Sequence, residues 1–148
     1  MKKLYSFCLG KYLGPRFENS FIELFSYDGS KEEDRLGVSR QIKTLVPEDK
    51  HGVTDFDLWV RLSNPVIRIY VDTAVDPMYR AFVTIPHELE HALGTGVLRR
   101  AMIDFKMKDI SPGCETMARI SGVITYKFQN AYLKEVGLTV KSEEKSGQ

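Results

Sequence analysis

The sequence predicts an α+β fold in which a small, mainly antiparallel or mixed sheet from residues 1–73 packs on two long helices. Short runs of β-branched and aromatic residues, separated by turn-forming residues, fill the first half of the chain. From Thr84 onward the apolar residues instead recur at helical spacing, and a second helix start follows at Ser111. Strands followed by helices in this order are typical of the α+β class.

Four segments have the residue types and lengths of strands, and turn-forming residues separate them. The predicted strands are Leu4–Leu13, Phe21–Tyr27, Phe56–Leu62 and Val66–Asp72. Asp28-Gly29-Ser30 is a strong turn signal after the second strand. Ser63-Asn64-Pro65 separates the last two strands, which we therefore expect to pair as a hairpin.

The segments between these strands give weaker signals. Lys31–Leu45 is highly charged, and both a short helix and an exposed strand fit its pattern. Pro47–Thr54 is predicted to be a loop. Asp76-Pro77 is expected to end the sheet region.

Two helices are predicted in the second half of the chain, each with a recognisable start. Thr84 is predicted to be the N-cap of the first helix, which places Pro86 in its first turn. The second helix begins with Ser111 and the proline that follows it, and it can run to about Val136. Gly137 then provides a natural stop.

Composition indicates an ordinary folded protein with no marked charge. Of its residues, 43% are hydrophobic and 28% are charged, and the formal net charge is +1. A charge so near zero gives no reason to expect nucleic acid or an anionic membrane as a partner. No apolar run is long enough to span a bilayer, and residues 1–11 are interpreted as a strand rather than a signal peptide.

The chain length of 148 residues fits one domain, which we expect over residues 1–140 with a flexible polar tail over residues 141–148. Cys8 and Cys114 are far apart in sequence and form no C-x-x-C pair. This spacing favours idle or buried thiols in a reducing compartment. The predicted location is therefore cytoplasmic.

Residues 87–91 form the sequence His-Glu-Leu-Glu-His, an H-E-x-x-H run that contains two of the three histidines. On a helix with about 100° per residue, His91 lies roughly 40° from His87, and Glu88 lies roughly 100° from it. All three side chains then share one side, opposite an apolar stripe that we expect to face the core. Two imidazoles one turn apart beside a carboxylate are typical of a catalytic zinc (Zn2+) site, with His87 and His91 as ligands.

A catalytic zinc ion needs a third protein ligand and an open position for water. No histidine follows His91, so a downstream histidine is excluded as that ligand. The remaining candidates are Glu115, Asp104, Asp109, Cys114 and the upstream His51, for which a surface role is expected. Glu115 is the best of them because it lies in the first turns of the second helix, far enough along for the chain to reverse.

The second helix is predicted to bring Glu115 beside the zinc-site helix. Glu115 shares a stripe with Ala118, Arg119, Gly122 and Tyr126, and the two small residues would permit close approach. The far side of the same helix carries four apolar residues, Met117, Ile120, Ile124 and Phe128. We therefore expect this helix to be buried on two faces. The alternative is that Glu115 is only an acid favoured by the helix dipole.

These motifs resemble those of the gluzincin metallopeptidases, in which H-E-x-x-H is followed by a helix that carries a glutamate. Arg80–His91 is similar to the start of the zinc helix in the ImmA/IrrE group, and Glu115–Ala118 is similar to that group's Glu-x-x-Ala segment. The resemblance covers roughly residues 66–125. It implies a zincin-like fold and a short intracellular zinc peptidase. Several members of the group cleave transcriptional repressors, which implies a phage or mobile-element setting.

Two positions depart from the gluzincin pattern. Glu90 stands where such helices usually carry a glycine, and Arg119 stands where many gluzincins place a second acid. Another group must then orient the histidines, and Asp72 or Asp104 is expected to do so. Peptide deformylase also contains H-E-x-x-H, but its cysteine ligand lies upstream of the motif, where this chain has none nearby.

The combined motifs predict a zinc metallopeptidase that hydrolyses peptide bonds of a specific intracellular protein. Glu88 would act as the general base, taking the proton of the attacking water and passing it to the leaving amine. Tyr126 or Arg119 would stabilise the oxyanion, and strand Val66–Asp72 would bind an extended substrate by edge pairing. The alternative is a catalytically inactive, zincin-like binding or structural protein with a stabilising zinc site. A third hypothesis is a metal-free adaptor in which residues 87–91 are coincidental.

Overall fold

A computed structural model of the chain describes residues 1–55, 66–98 and 111–138. The predicted strand Phe56–Leu62, its turn at 63–65, Asp104, Asp109 and the tail at 141–148 lie outside these ranges. Within them, the chain mixes helices with one small four-stranded sheet. None of the helices in this part of the chain is both long enough and apolar enough to cross a bilayer.

The sheet is mixed, with two antiparallel pairings and one parallel pairing. Its strands are β1 (Lys2–Cys8), β2 (Phe21–Tyr27), β3 (Gly52–Asp55) and β4 (Val66–Asp72). They lie in the order β1-β2-β4-β3. β1 and β3 run antiparallel to their neighbours, whereas β2 and β4 are parallel to each other. Among the strands that the structure describes, β1 and β3 are therefore the two edge strands.

The two central strands confirm their predicted boundaries, Phe21–Tyr27 and Val66–Asp72. β4 has neighbours on both sides, and Ile67, Ile69 and Tyr70 are fully buried. A strand covered on both faces is expected to be a nearly continuous apolar run. That composition explains why β4 was predictable from its residues alone.

The prediction of a loop over Pro47–Thr54 is wrong at its end, because β3 begins at Gly52. β3 pairs with β4 from Gly52 opposite Val71 to Asp55 opposite Arg68. The described part of this strand, Gly52–Asp55, escaped prediction because glycine and aspartate have low β propensity. The strand that pairs with Val66–Asp72 therefore begins at Gly52, whereas the predicted hairpin placed its start at Phe56.

The prediction of a strand over Leu4–Leu13 is wrong beyond Cys8. Gly10–Leu13 forms a short helix, α1, and Pro15–Phe17 forms a 3₁₀ turn. The Leu9 N–H donates to the Ser20 carbonyl at 2.9 Å, so the chain already turns back toward β2 at this point. Gly10 is required there, since a Cβ atom would lie 2.7 Å from the backbone of Glu18.

The charged segment after the predicted turn at residues 28–30 forms a helix, α2 (Glu32–Ile42). A helix was one of the two structures predicted for it, and an exposed strand was the other. The Lys31 N–H donates to the Asp28 carbonyl at 3.1 Å and closes that turn. Three acidic residues in the first turn of α2 suit the positive end of the helix dipole. Val38 on α2 packs with Tyr70 of β4 in a small second core.

A long helical segment, α3, leads from the sheet to the motif. It consists of an α-turn at Pro77–Tyr79, π-helical turns at Arg80–Thr84, an α-helix at Ile85–Glu90 and π-helical turns at His91–Leu98. Its start is a sharp corner at Asp76, which has a positive φ of 44° and precedes a proline. The residues predicted to end the sheet region therefore also begin the helical segment.

The prediction that Thr84 is an N-cap is wrong. Thr84 has helical backbone angles (φ −65°, ψ −47°), and its side chain makes no capping hydrogen bond. Pro86 lies inside α3 rather than in its first turn, and it lacks the N–H that an α-helix requires. The wider π-helical turns just before Pro86 accommodate that missing donor.

The second long helix, α4 (Ser111–Glu135), ends within about one residue of its predicted end, whereas its predicted start at Ser111 adjoins residues outside the described ranges and stays a prediction. Gly137 has a φ of 82° and ends it, as predicted. The Leu138 N–H donates to the Leu133 carbonyl at 2.7 Å, and the Gly137 N–H donates to the Lys134 carbonyl at 3.1 Å. These two bonds form a Schellman cap, which favours glycine at this position.

The main core lies between one face of the sheet and the helices α3 and α4. Its fully buried members include Ile22, Leu24, Ile67, Ile69, Ile85, Ala92, Ile120, Ile124 and Phe128. The smaller core under α2 lies on the opposite face, so the sheet is covered on both sides. This arrangement fixes the α3 helix against the β3–β4 side of the sheet, where the motif residues lie.

Candidate metal centre

His87 and His91 lie one helical turn apart and direct their ring nitrogens at each other. Their Nε2 atoms are 3.2 Å apart, and the planes of the two rings are inclined by 86°. Two ligands that each lie about 2.05 Å from a tetrahedral zinc ion are separated by about 3.3 Å. The two nitrogens therefore have the separation of neighbouring ligands of one metal ion.

Glu88 is buried beside the histidines and is only 7% exposed. The Thr54 hydroxyl on β3 donates to Glu88 Oε1 at 2.6 Å and also lies 3.2 Å from the Glu88 carbonyl oxygen. The second carboxylate oxygen, Oε2, lies 3.8 Å from His87 Nε2. One oxygen of the carboxylate is thus held by Thr54 of the sheet, and the other lies near His87.

A depression with a volume of about 370 Å³ opens at this place. It is lined by Lys50, Gly52, Val53, Thr54, His87, Glu88 and His91. Successive side chains of a strand point to opposite faces of the sheet, so three consecutive β3 residues can line one depression only along the strand's edge. Among the described strands β3 lies at one end of the sheet, and Glu88 and both histidines border the same depression as β3.

Gly52 allows this edge strand to approach the helix so closely. A Cβ atom at position 52 would lie 2.5 Å from Thr84 Cγ2 and 3.4 Å from Glu88 Cγ. A contact of 2.5 Å is far below van der Waals distance, so any larger residue would require the Thr84 side chain, the strand or the helix to shift. Neither Gly52 nor Thr54 was among the predicted site residues, and the only available signal was the β-branched pair Val53-Thr54.

The prediction that Val66–Asp72 binds substrate through its edge is wrong. β4 lies between β2 and β3 and is hydrogen-bonded to both of them. Its main-chain groups are therefore occupied on both sides. Among the described strands, β3 is the one at the end of the sheet beside the motif.

Asp72, at the end of β4, is the centre of a buried polar network and is 1% exposed. Its Oδ1 atom accepts the N–H groups of Gly29 and Ala74, each at 2.8 Å, and its Oδ2 atom lies 3.0 Å from His51 Nδ1. The surface role predicted for His51 is wrong, since its side chain is only 26% exposed and is held by Asp72. Asp72 was predicted to orient the motif histidines. Its side chain instead contacts His51 and the N–H groups of two loops.

Buried tyrosines and an arginine surround Asp72. The Tyr132 hydroxyl donates to the Asp72 carbonyl at 2.7 Å. Burial, and then the negative charge of Asp72, raises the pKa of both Tyr27 and Tyr132. The Arg80 guanidinium donates to Thr84 Oγ1 at 3.1 Å, while its buried Nε has no partner among the described residues. A polar layer therefore lies beneath the β3 edge.

Glu115 lies on the outer face of α4. Its side chain is 70% exposed, and its Oε1 atom lies 3.6 Å from Nε of the equally exposed Arg119. The whole predicted stripe is exposed, namely Glu115, Ala118, Arg119, Gly122 and Tyr126, whereas Met117, Ile120, Ile124 and Phe128 are buried. The prediction that α4 is buried on two faces is therefore wrong. A Cβ atom at Gly122 would meet no described atom within 4 Å.

The structure brings together His87, Glu88 and His91, but it does not add Glu115 to them. Across residues 1–55, 66–98 and 111–138, no three His, Cys, Asp or Glu side chains gather as a metal site. The side chain of Cys114 lies outside the described part, as do Asp104 and Asp109. Glu115 as the third ligand therefore stays a prediction.

The two residues predicted to stabilise the oxyanion lie away from the depression. Arg119 is paired with Glu115 on the outer face of α4. Tyr126 lines a separate groove beside β1, at the opposite side of the sheet from β3. Neither of them lines the depression that contains the histidine pair.

Comparison with known proteins gives no family for this chain. It matches no family model, no curated protein and no solved structure. The functional argument therefore depends on residues 87–91 and on what surrounds them.

Proposed function

We propose that the chain is a zinc-dependent metallopeptidase that cleaves a specific intracellular protein. The observation that carries this proposal is the 3.2 Å separation of the two Nε2 atoms beside a buried carboxylate. The resemblance of residues 80–91 to the zinc helix of the ImmA/IrrE group supports the same reading of the motif. A purely structural metal site would have no use for a carboxylate in the position of Glu88.

His87 and His91 would bind the metal through Nε2. Zinc in this place would supply Lewis acidity that lowers the pKa of a bound water toward about 7. Glu88 Oε2 faces the histidines and would accept the proton of the attacking water, then deliver it to the leaving amine. The Thr54 hydroxyl would keep the carboxylate in place by holding Oε1 at 2.6 Å.

The substrate would bind as an extended peptide along the outer edge of β3. Its main-chain amides would pair with those of Val53 and its neighbours, as in other complexes in which a peptide adds a strand to a sheet. This position would carry the scissile bond past Glu88, since β3 and Glu88 line the same depression. Edge pairing is independent of side chains, so specificity would come from contacts elsewhere on the substrate.

Comparing the protein fragments produced in cells by the wild type and by Glu88→Gln tests this function. The variant should lose cleavage by about 10²-fold to 10⁴-fold, because the amide cannot act as a general base. Glu90→Gln is the matched control, since Glu90 lies on the same helix and is exposed. Fragments that are identical in the wild type and the Glu88 variant would contradict a peptidase.

The third ligand can be identified by measuring zinc affinity in a panel of variants. We propose Glu115, with Asp104, Asp109 and Cys114 as the other candidates. Replacing a direct zinc ligand should lower the affinity by more than the 10-fold to 100-fold typical of the groups that only orient ligands. A loss confined to Glu115→Gln would support the gluzincin arrangement, and an unchanged affinity in that variant would contradict it.

A second candidate function is a catalytically inactive, zincin-like binding or structural protein with a stabilising zinc site. One observation favours it, namely that Glu115 is 70% exposed and paired with Arg119. Zinc would then raise the melting temperature, because a ligand that binds only the native state stabilises it. Zinc-dependent stability together with no cleavage of any cellular protein would select this function over the peptidase.

A further inference from the structure

A second groove, with a volume of about 710 Å³, lies between β1 and α4. It is lined by Lys2, Lys3, Leu4, Tyr5, Tyr126, Lys127, Asn130, Ala131, Lys134 and Glu135. β1 and β3 are the two ends of the sheet, so this groove, which we name the β1 groove, is on the opposite side from the histidine pair.

The β1 groove runs along the open edge of the strand. Four consecutive residues, Lys2–Tyr5, line it, although successive side chains of a strand point to opposite faces. The register with β2 shifts between Lys3 and Tyr5, so this alternation is interrupted at Leu4, within the part of β1 that lines the groove. β1 pairs with β2 on one side, and none of the described strands pairs with its other side.

Positive charge is concentrated in the β1 groove. Four lysines line it against one carboxylate, that of Glu135, in a chain whose formal net charge is only +1. Lys2 pairs with Glu135 at 2.9 Å, and Lys3 pairs with Glu23 at 3.1 Å. Lys127 and Lys134 form no ion pair with any of the residues that the structure describes, so their charges are available to a partner.

The spacing of these two lysines suits an extended chain. Lys127 and Lys134 are seven residues apart, which corresponds to about 10.5 Å along the helix axis. Alternate residues of a bound strand lie about 6.6 Å apart on one face. Two acidic residues at alternate positions would therefore lie within reach of both flexible lysine side chains.

We propose that the β1 groove binds an acidic, extended segment of a partner protein, which adds to the sheet as a strand beside β1. The open edge supplies main-chain donors and acceptors, and the lysines of α4 supply charge complementarity. A nucleic acid would use the lysines but would leave the strand edge unpaired. This inference does not depend on the histidine pair, because the groove and the candidate metal centre lie at different edges.

The test uses the full chain and a fluorescent peptide of about eight residues that alternates glutamate with threonine. Peptide binding is followed by fluorescence anisotropy. The double variant Lys127→Glu/Lys134→Glu should bind about tenfold or more weakly, because two attractions become repulsions. The matched control is Lys11→Glu/Lys31→Glu, which has the same net charge but changes two exposed lysines outside the groove. The control should bind like the wild type, and circular dichroism verifies that both variants are folded.

Two further measurements test strand addition itself. A peptide with N-methylated amides at alternate positions keeps its charge but cannot pair with an edge, so it should bind much more weakly. Hydrogen exchange at the amides of Lys3–Tyr5 should slow when the unmodified peptide binds.

Several outcomes would overturn the proposal. These are no binding by the wild type, equal losses in the two double variants, or equal binding of the N-methylated peptide. Tighter binding of a single-stranded oligonucleotide of the same charge would also overturn it, since the groove would then be a site for nucleic acid.

Discussion

The two edges of the sheet are built differently, although each borders a helix and an open groove. Beside β3 the contacts are buried and polar, as in the bond from Thr54 to Glu88 and the pair of His51 with Asp72. Beside β1 the polar contacts are exposed ion pairs, such as that of Lys2 with Glu135.

Because of this difference, the β3 edge can fix the position of its side chains, whereas the β1 edge can attract a charged partner. A buried hydrogen bond fixes its atoms, because breaking it leaves a polar group without a partner in a place that water does not reach. An exposed lysine keeps its freedom and its charge, and it contributes little to stability. The β3 edge is therefore suited to hold a carboxylate beside two histidines, and the β1 edge is suited to attract a partner.

Alkaline pH should produce the largest loss of stability. Burial raises the pKa of Tyr70 to about 12, and the pKa values of Tyr27 and Tyr132 beneath the β3 edge are raised further. Neutral tyrosine is favoured in the native state, so this stability is complete below the ordinary pKa of about 10 and is lost as the pH rises through the native values. Ionisation of these three buried tyrosines should therefore accompany unfolding at a pH above about 10, and tyrosinate absorbance together with circular dichroism measures both. Ionisation of Tyr27, Tyr70 and Tyr132 near pH 10 without unfolding would contradict the account.

Asp72→Asn should lower the free energy of unfolding by about 2 to 4 kcal/mol. The amide oxygen can still accept from Gly29 and Ala74, but an NH2 group then replaces the carboxylate oxygen beside His51, and the negative charge at the centre of the network is lost. Urea unfolding measures the change, with Asp49→Asn in an exposed turn as the control. If the two substitutions lowered the free energy of unfolding equally, the network under the β3 edge would contribute no more to stability than an exposed turn.

Gly52→Ala should cost about 1 to 3 kcal/mol, because the new methyl group would push β3 away from Thr84 and Glu88. Gly122→Ala on the exposed face of α4 is the opposite case, and it should stabilise the chain by up to about 1 kcal/mol. Both changes are measured by urea unfolding. A destabilising Gly122→Ala would indicate that another element packs against this face.

Lys2→Met should have the smallest effect, below about 0.5 kcal/mol, since the Lys2 side chain is 66% exposed. It breaks the ion pair with Glu135 at the β1 edge and leaves the core unchanged. The comparison with Asp72→Asn is direct, because each substitution removes one charge next to an edge strand. A loss of similar size from both would remove the distinction between the two edges.

The parts of the fold that were predictable depend on local pattern. β2, β4 and α4 have continuous apolar runs or paired start and stop residues, and their boundaries follow from these signals. The described residues of β3, Gly52–Asp55, begin and end with residues of low β propensity, and their pairing with β4 identifies them as a strand. Thr84 resembles an N-cap in sequence, but α3 already begins at the corner after Asp76.

The same division applies to the site. His87 and His91 lie together because they are four residues apart on a helix, and this spacing can be seen in the sequence. Thr54 reaches Glu88 across 34 positions of the chain, and no spacing rule connects them. Glu115 was placed by analogy and by its wheel position, but the apolar residues of α4 turn its stripe outward.

Zinc titration of the purified chain, followed by calorimetry, tests the central claim that the motif histidines bind a metal. The wild type and His51→Gln should each bind about one zinc ion, since His51 belongs to the Asp72 network and not to the pair. His87→Ala and His91→Ala should each lose this binding. A wild type that binds no zinc, or a chain that keeps its zinc after both motif histidines are replaced, would contradict the account.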